Sequence, residues 1–301
     1  MRERKTSYPN LFIVGAPKSG TTAMARHLVA HPEIYTPLQK EFTYFGKDLV
    51  RYAELITEKA YLKWFEAWNN EKYALDASPT YLYSQSAPFE FLEKSPNAKV
   101  IIMLRNPIEV AYSMYFEALF GNREYAKTFE EAWELESKRL QGQCIPTNAR
   151  LEYTTRYQSL GLYSRHIRHY QNIFGVENVH IILFDDFKDS NQVCYEKLLD
   201  FLGLSYIYPE SFKVHNPSKI ARSPKLTHFV TTPPKWLGTI GSFILPKTTR
   251  WKIRDFIKNK NMKIVDKPKI APATKAMLQA HYAEEIVELE NLLGRSLSQW
   301  K

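Results

Sequence analysis

Cysteine is scarce in this chain of 301 residues, with Cys144 and Cys194 the only two. No disulfide framework is implied, and a reducing cytoplasm is the expected compartment. Long apolar runs are also missing. The longest weakly polar stretch, Trp236 to Leu245, is too short to cross a bilayer, and lid, lipid contact and core all remain open for it. The polar start Met1 to Asn10 runs straight into Leu11–Val14, without the longer apolar core and small-residue cleavage site of a secretory signal. Internal repeats and low-complexity tracts are absent. So is any His/Cys/Asp cluster with zinc spacing, and no metal is expected.

What remains is an ordinary globular composition, 44% hydrophobic and 24% charged. The length suits one large α/β domain with a substantial core. The net charge of +9 is unevenly placed: residues 203–270 carry fourteen Lys or Arg against Glu210, Asp255 and Asp266, or +11, so the rest sums to −2. Such a block fits an anionic partner or a solvated Lys-rich face. Phe212, Phe229, Trp236, Phe243, Trp251 and Phe256 interleave with the charges, yet no nucleic-acid-binding motif is visible. No nucleic-acid partner is expected; peripheral membrane contact stays open, and oligomeric state has no signature.

Short apolar runs ending in turn residues predict strands at Leu11–Val14, Lys99–Leu104 and Val179–Phe184, with a weaker one at Tyr73–Leu75. Helical stretches fall between them: Thr21–Ala30, Ile108–Phe120, Phe129–Leu140, Arg156–Phe174, Tyr195–Leu202 and Thr274–Leu293. Near-continuous apolar strands alternating with helices imply a doubly wound parallel sheet with helices on both faces. The exception is 205–270, which holds seven of the seventeen prolines and no clear period. It reads as an irregular excursion over the active-site face of a single domain spanning 1–301.

The strongest chemical signal is Leu11-Phe-Ile-Val-Gly-Ala-Pro-Lys-Ser-Gly-Thr-Thr22. A strand enters a tight turn that opens into a helix, whose first amides and dipole make an anion site. Lys18 adds a point charge; Thr21 and Thr22 add hydroxyls. A Walker A loop would place lysine directly after the last glycine, whereas Thr21 follows Gly20 here. A second signal is Val100-Ile-Ile-Met-Leu-Arg-Asn-Pro-Ile-Glu-Val-Ala-Tyr-Ser113, with an arginine at a strand end, where it can clamp a phosphate with two donors.

Residues Ala16–Thr22 resemble the 5′-phosphosulfate loop of sulfotransferases that use 3′-phosphoadenosine-5′-phosphosulfate (PAPS). Residues 100–113 are similar to that family's 3′-phosphate motif. Asp76-Ala-Ser-Pro-Thr-Tyr81 resembles a stretch of the carbohydrate-type branch, and Gly161–Arg165, Asp186-Phe187 and Leu289–Arg295 with Trp300 resemble bacterial members. The likeness implies a P-loop-like three-layer fold and a PAPS cofactor without metal. It places Pro17, Lys18, Ser19, Gly20, Thr21, Thr22, Arg105 and Ser113 on the cofactor. It adds Arg222, from a loop at His215–Ser223 similar to one near the cofactor.

The general base distinguishes the branches. No motif around the histidine of the cytosolic steroid and phenol enzymes is present. The resemblance to the carbohydrate and tyrosyl-protein branches instead marks Glu41, in Gln39-Lys-Glu-Phe-Thr-Tyr-Phe45, as base with Lys18 as the cationic catalytic partner. A surface ion pair of Glu41 with Lys40 is the bland alternative. His27 and His31 read as packing or capping groups. Heparan-type enzymes carry a lysine where Ala77 stands, which argues against a heparan acceptor. The expectation is sulfuryl transfer to a hydroxyl or amine of a small-molecule or carbohydrate acceptor. A P-loop small-molecule kinase and a non-enzymatic anion- or membrane-binding protein are the alternatives.

Overall fold

The computed structural model describes residues 8–50, 56–149, 151–212, 219–221, 260, 262–264 and 268–301. Arg222 and the Trp236–Leu245 run lie outside the described residues.

Five parallel strands form the central sheet: β1 (Leu11–Gly15), β2 (Ile34–Tyr35), β3 (Tyr73–Ala77), β4 (Lys99–Leu104) and β5 (Val179–Leu183), in the order β2-β3-β1-β4-β5. β1 pairs with β3 on one side, Phe12 opposite Asp76, and with β4 on the other, Phe12 opposite Val100. The chain thus leaves β1 towards one edge and later crosses to the other. That reversal opens a crevice beyond the carboxyl end of β1, the usual ligand position in such sheets.

Both faces are covered, as the apolar strands require. Side chains alternate along each strand, so Phe12, Val14, Val100, Ile102 and Leu104 join one buried cluster, while Leu11, Ile13, Ile101 and Met103 join the other. The first cluster is closed by α3 (Ala87–Lys94), α4 (Pro107–Phe120), α7 (Tyr163–Phe174) and the C-terminal helix Pro272–Leu293. The second is closed by α1 (Thr21–Leu28) and α9 (Asn191–Leu202). Each fully buried Leu, Ile or Phe contributes roughly 1.5–3 kcal/mol. The three-layer α/β architecture expected from the sequence is the one observed.

Several boundaries differ. β2, α2 (Glu58–Leu62) and α3 were not anticipated; the first two are too short to carry a period. The helix expected from Arg156 begins only at Tyr163. Glu136 pulls the chain aside by accepting the Ser159 amide at 2.9 Å. Gly161 then packs so closely that a Cβ there would meet Pro107 at 2.4 Å and Tyr282 at 2.5 Å. The stretch 129–140 divides into α5 (Phe129–Glu134) and α6 (Glu136–Leu140) at Leu135. β5 stops at Leu183, and Phe184 instead opens α8 (Phe184–Asp189).

Candidate active site

β1 delivers the loop Ala16–Gly20 to the crevice, and the loop becomes α1 without a side-chain cap. Gly20 supplies the turn: its φ of +89° is left-handed, and a Cβ would stand 3.0 Å from the Phe184 ring. The opening amides of α1 have no partner within the helix, and its first turn contains no acidic residue. Ser19 is fully buried, with a hydroxyl that lacks a hydrogen-bond partner among the described residues. Unpartnered donors at a helix start, without a resident carboxylate, fit an anionic phosphate group. Pro17 is buried and Thr21 nearly so, while Lys18 and Thr22 are half-buried. Lys18 has a left-handed φ of 67°, unusual for a residue with a side chain.

β4 brings Arg105 to the same crevice. Its NH1 donates to the Lys18 carbonyl at 3.1 Å, so the two sequence motifs meet directly. The guanidinium lies 4.6 Å over the Phe184 ring, and its Nε donates to Glu109 Oε2 at 2.6 Å. Tyr163 Oη donates to the Arg105 carbonyl at 3.1 Å and fixes its backbone. Asn106 caps α4 by accepting the Ile108 amide at 3.0 Å. Ser113 sits on α4, buried, roughly 9 Å along the axis from Pro107 at 1.5 Å per residue.

The Lys18 ammonium extends to Glu117 Oε2 at 2.9 Å, and Arg123 reaches the other carboxylate oxygen at 3.2 Å. Burial alone would push the Glu117 carboxyl up, but the two cations outweigh it and hold it below its ordinary range. Sequence reasoning missed this group. Glu117 is four residues beyond Ser113 and shares its helix face, a usable signal. Arg123 returns only because Asn122 takes a left-handed φ of 54°.

Glu41 lies on the facing loop, exposed, with φ 58°, and Thr43 follows with φ 55°. Two such residues cost on the order of 1–3 kcal/mol each unless the surroundings fix them. Here β3 and the turn after it fix them. The Glu41 amide donates to the Ala77 carbonyl at 3.2 Å and the Phe42 amide to Ser78 Oγ at 3.1 Å. The Tyr44 and Phe45 amides both donate to Tyr81 Oη, at 3.2 and 3.4 Å. Ser78 Oγ in turn donates to Asp76 at 2.6 Å, and Tyr61 Oη donates to the same carboxylate at 2.7 Å. Asp76 is wholly buried, and burial raises its pKa to about 6 against the hydrogen bonds that lower it.

Lys40 is drawn away from solvent onto α1. Its Nζ donates to Thr22 Oγ1 at 2.8 Å, while its nearest approach to Glu41 is 3.9 Å. The anticipated Lys40–Glu41 pair is therefore a long one. His27 is buried among Phe187, Tyr195 and Phe212, and His31 receives the Glu33 amide at 3.2 Å. Both pack or cap.

The loop Ala16–Gly20, the strand-end arginine and the glutamate loop thus converge at the carboxyl end of the sheet. A family model described as the sulfotransferase domain matches residues 8–220. The chain belongs to that family. It is 26% identical to a sulfotransferase from Alicyclobacillus acidocaldarius, superposing with a TM-score of 0.70 over 98% of this chain and 99% of that one. It is 24% identical to a membrane-associated sulfotransferase of Dictyostelium discoideum over 69% of this chain and 59% of that protein. It is 25% identical to a bifunctional heparan sulfate N-deacetylase/N-sulfotransferase of Caenorhabditis briggsae, over 71% of this chain and 25% of that protein. The chain therefore spans less than two thirds of these two curated relatives. Among the described residues, no helix is long and apolar enough to cross a membrane.

Proposed function

We propose that the chain transfers a sulfuryl group from PAPS to a hydroxyl or amine of a carbohydrate or small-molecule acceptor. The observation that carries this reading is the Arg105–Lys18 contact at 3.1 Å, which joins the two phosphate-binding motifs in one crevice of a sulfotransferase-family fold. The loop Pro17–Gly20 with Thr21 and Thr22 would hold the 5′ end of the donor, and Arg105 with Ser113 the 3′-phosphate. When bound, the donor supplies a sulfuryl group activated by its link to phosphate.

The chain's own residues provide the rest. A Glu41 carboxylate oxygen takes the proton of the acceptor hydroxyl or amine, on a loop whose backbone is held by hydrogen bonds to Ala77 and Ser78. The α1 amides, fixed by the helix, stabilise the negative charge left on the 5′-phosphate oxygen without rearrangement, while Lys18 joins them by exchanging its Glu117 partner for the phosphate. Arg105 is turned onto Glu109 in this structure, so a 3′-phosphate would exchange one anion for another on the same fork.

We read residues 205–270 as a cover for this face within a single domain. In support, β6 (Lys219–Ala221) pairs antiparallel with β7 (Met262–Ile264), joining an earlier and a later part of the basic block. A cytoplasmic setting accords with two unpaired cysteines, one exposed and one buried.

The test is transfer of radiolabelled sulfate from PAPS to a panel of sugars, amines and alcohols. Glu41→Gln should lower kcat by about 10²–10⁴ while donor affinity holds. Equal loss of turnover and donor binding would remove Glu41 from the role of base.

A further inference from the structure

Lys40 stands at the junction of the donor loop and the glutamate loop. Among the described residues its ammonium makes one short contact, to Thr22 Oγ1 at 2.8 Å. Glu41 Oε1, at 3.9 Å, is beyond hydrogen-bond reach. An ammonium only donates, so it occupies a lone pair of Thr22 and leaves the hydroxyl proton of Thr22 to be given elsewhere. Thr22 is the second residue of α1, where the backbone amides already converge on an anion position. A hydroxyl that accepts from a cation is polarised into a stronger donor.

The charges around it differ from those around Lys18. Lys18 is held at 2.9 Å by Glu117, which also holds Arg123. Among the described residues the carboxylate paired with Lys40 is Glu41, at the longer distance of 3.9 Å, and Arg26 opposes it with a second positive charge nearby. Its side chain is only about one-third exposed (34%), so water screens it less than a surface lysine. A half-buried cation with a hydroxyl as its short contact, between a helix start and a carboxylate, is set to face an anionic group placed between the two.

We propose that Lys40 is a positioning residue for the sulfuryl end of the donor, polarising the Thr22 hydroxyl towards it and holding positive charge beside Glu41. The inference rests on the sulfotransferase reading, and it assigns to Lys40 part of the role expected of Lys18 alone. The ammonium stays intact throughout: no bond to it forms or breaks, and it moves no proton.

The test compares affinities for PAPS, without acceptor, and for adenosine 3′,5′-bisphosphate, which lacks the sulfuryl group. Titration calorimetry would be run on the wild type, Lys40→Met, Lys40→Arg, Thr22→Val and the Lys40→Met/Thr22→Val double variant. The wild type should bind both ligands. Lys40→Met should weaken PAPS about tenfold and the bisphosphate less than twofold, with an unchanged melting temperature, and Lys40→Arg should restore most of the loss. Thr22→Val and the double variant should lose the same amount, because the two residues act as one unit. Equal weakening of both ligands, or of neither, overturns the Lys40 role while leaving the donor reading intact. A wild type that binds neither ligand removes the donor reading and the Lys40 role with it.

Discussion

The guanidinium of Arg105 donates to the main-chain carbonyl of Lys18 across 3.1 Å. Eighty-seven residues separate them in sequence, yet the contact fixes how far the strand-end arginine stands from the donor loop. The same guanidinium rests on Phe184, whose ring also abuts the position where Gly20 lacks a Cβ. One aromatic ring therefore supports both halves of the proposed anion site.

Gly20→Ala should show this dependence. A left-handed alanine costs roughly 1–2 kcal/mol, and its methyl would press on Phe184. Affinity for adenosine 3′,5′-bisphosphate should fall at least tenfold, while the fold persists by circular dichroism. Unchanged affinity would mean that the ring does not couple the two halves.

Asp76 should leave a signature in the pH dependence of stability. Burial lifts its pKa in the folded protein to about 6, against 3.8 for the ordinary group. The folded state thus keeps a proton that the unfolded state loses. The stabilisation is complete below about pH 4 and disappears as pH rises through about 6, at up to ~1.4 kcal/mol per pH unit. Thermal melts from pH 4 to 7 should show this decline in the wild type and a flatter profile in Asp76→Asn. Parallel profiles would contradict it.

The ion pair of Arg139 with Glu124 is fully buried on both sides. Glu124 also receives the Tyr125 and Ala126 amides and the Tyr157 hydroxyl, and Arg139 donates to the Thr155 carbonyl at 2.7 Å. Arg139→Ala strands a buried carboxylate and should cost about 3–5 kcal/mol in urea unfolding. Removing both charges with Arg139→Met/Glu124→Leu should recover only part of this, because two amides lose their acceptor. Full recovery would show that those amides find other partners.

The sheet was legible because β1, β4 and β5 are near-continuous apolar runs followed by turn residues. The loop at Lys18 and the strand-end Arg105 were legible because each is a local pattern. What escaped depends on closure in space. Asp76 to Tyr81 could be seen as a motif, but four amides of the Glu41 loop hanging on that segment could not. Lys40 appeared as the neighbour of Glu41, whereas the fold delivers it to Thr22, eighteen residues earlier. The late start of α7 follows from Glu136 and Tyr282, both distant in sequence, so no helical period could announce it.

Under the proposed function, this crevice holds a nucleotide bearing phosphate at both the 3′ and 5′ positions. Calorimetric titration with adenosine 3′,5′-bisphosphate, beside 5′-AMP and ATP with magnesium, tests it most directly. Tight binding of the bisphosphate is expected, with much weaker binding of the other two and loss of that preference in Arg105→Ala. Preference for ATP, or bisphosphate binding indifferent to Arg105, would contradict it.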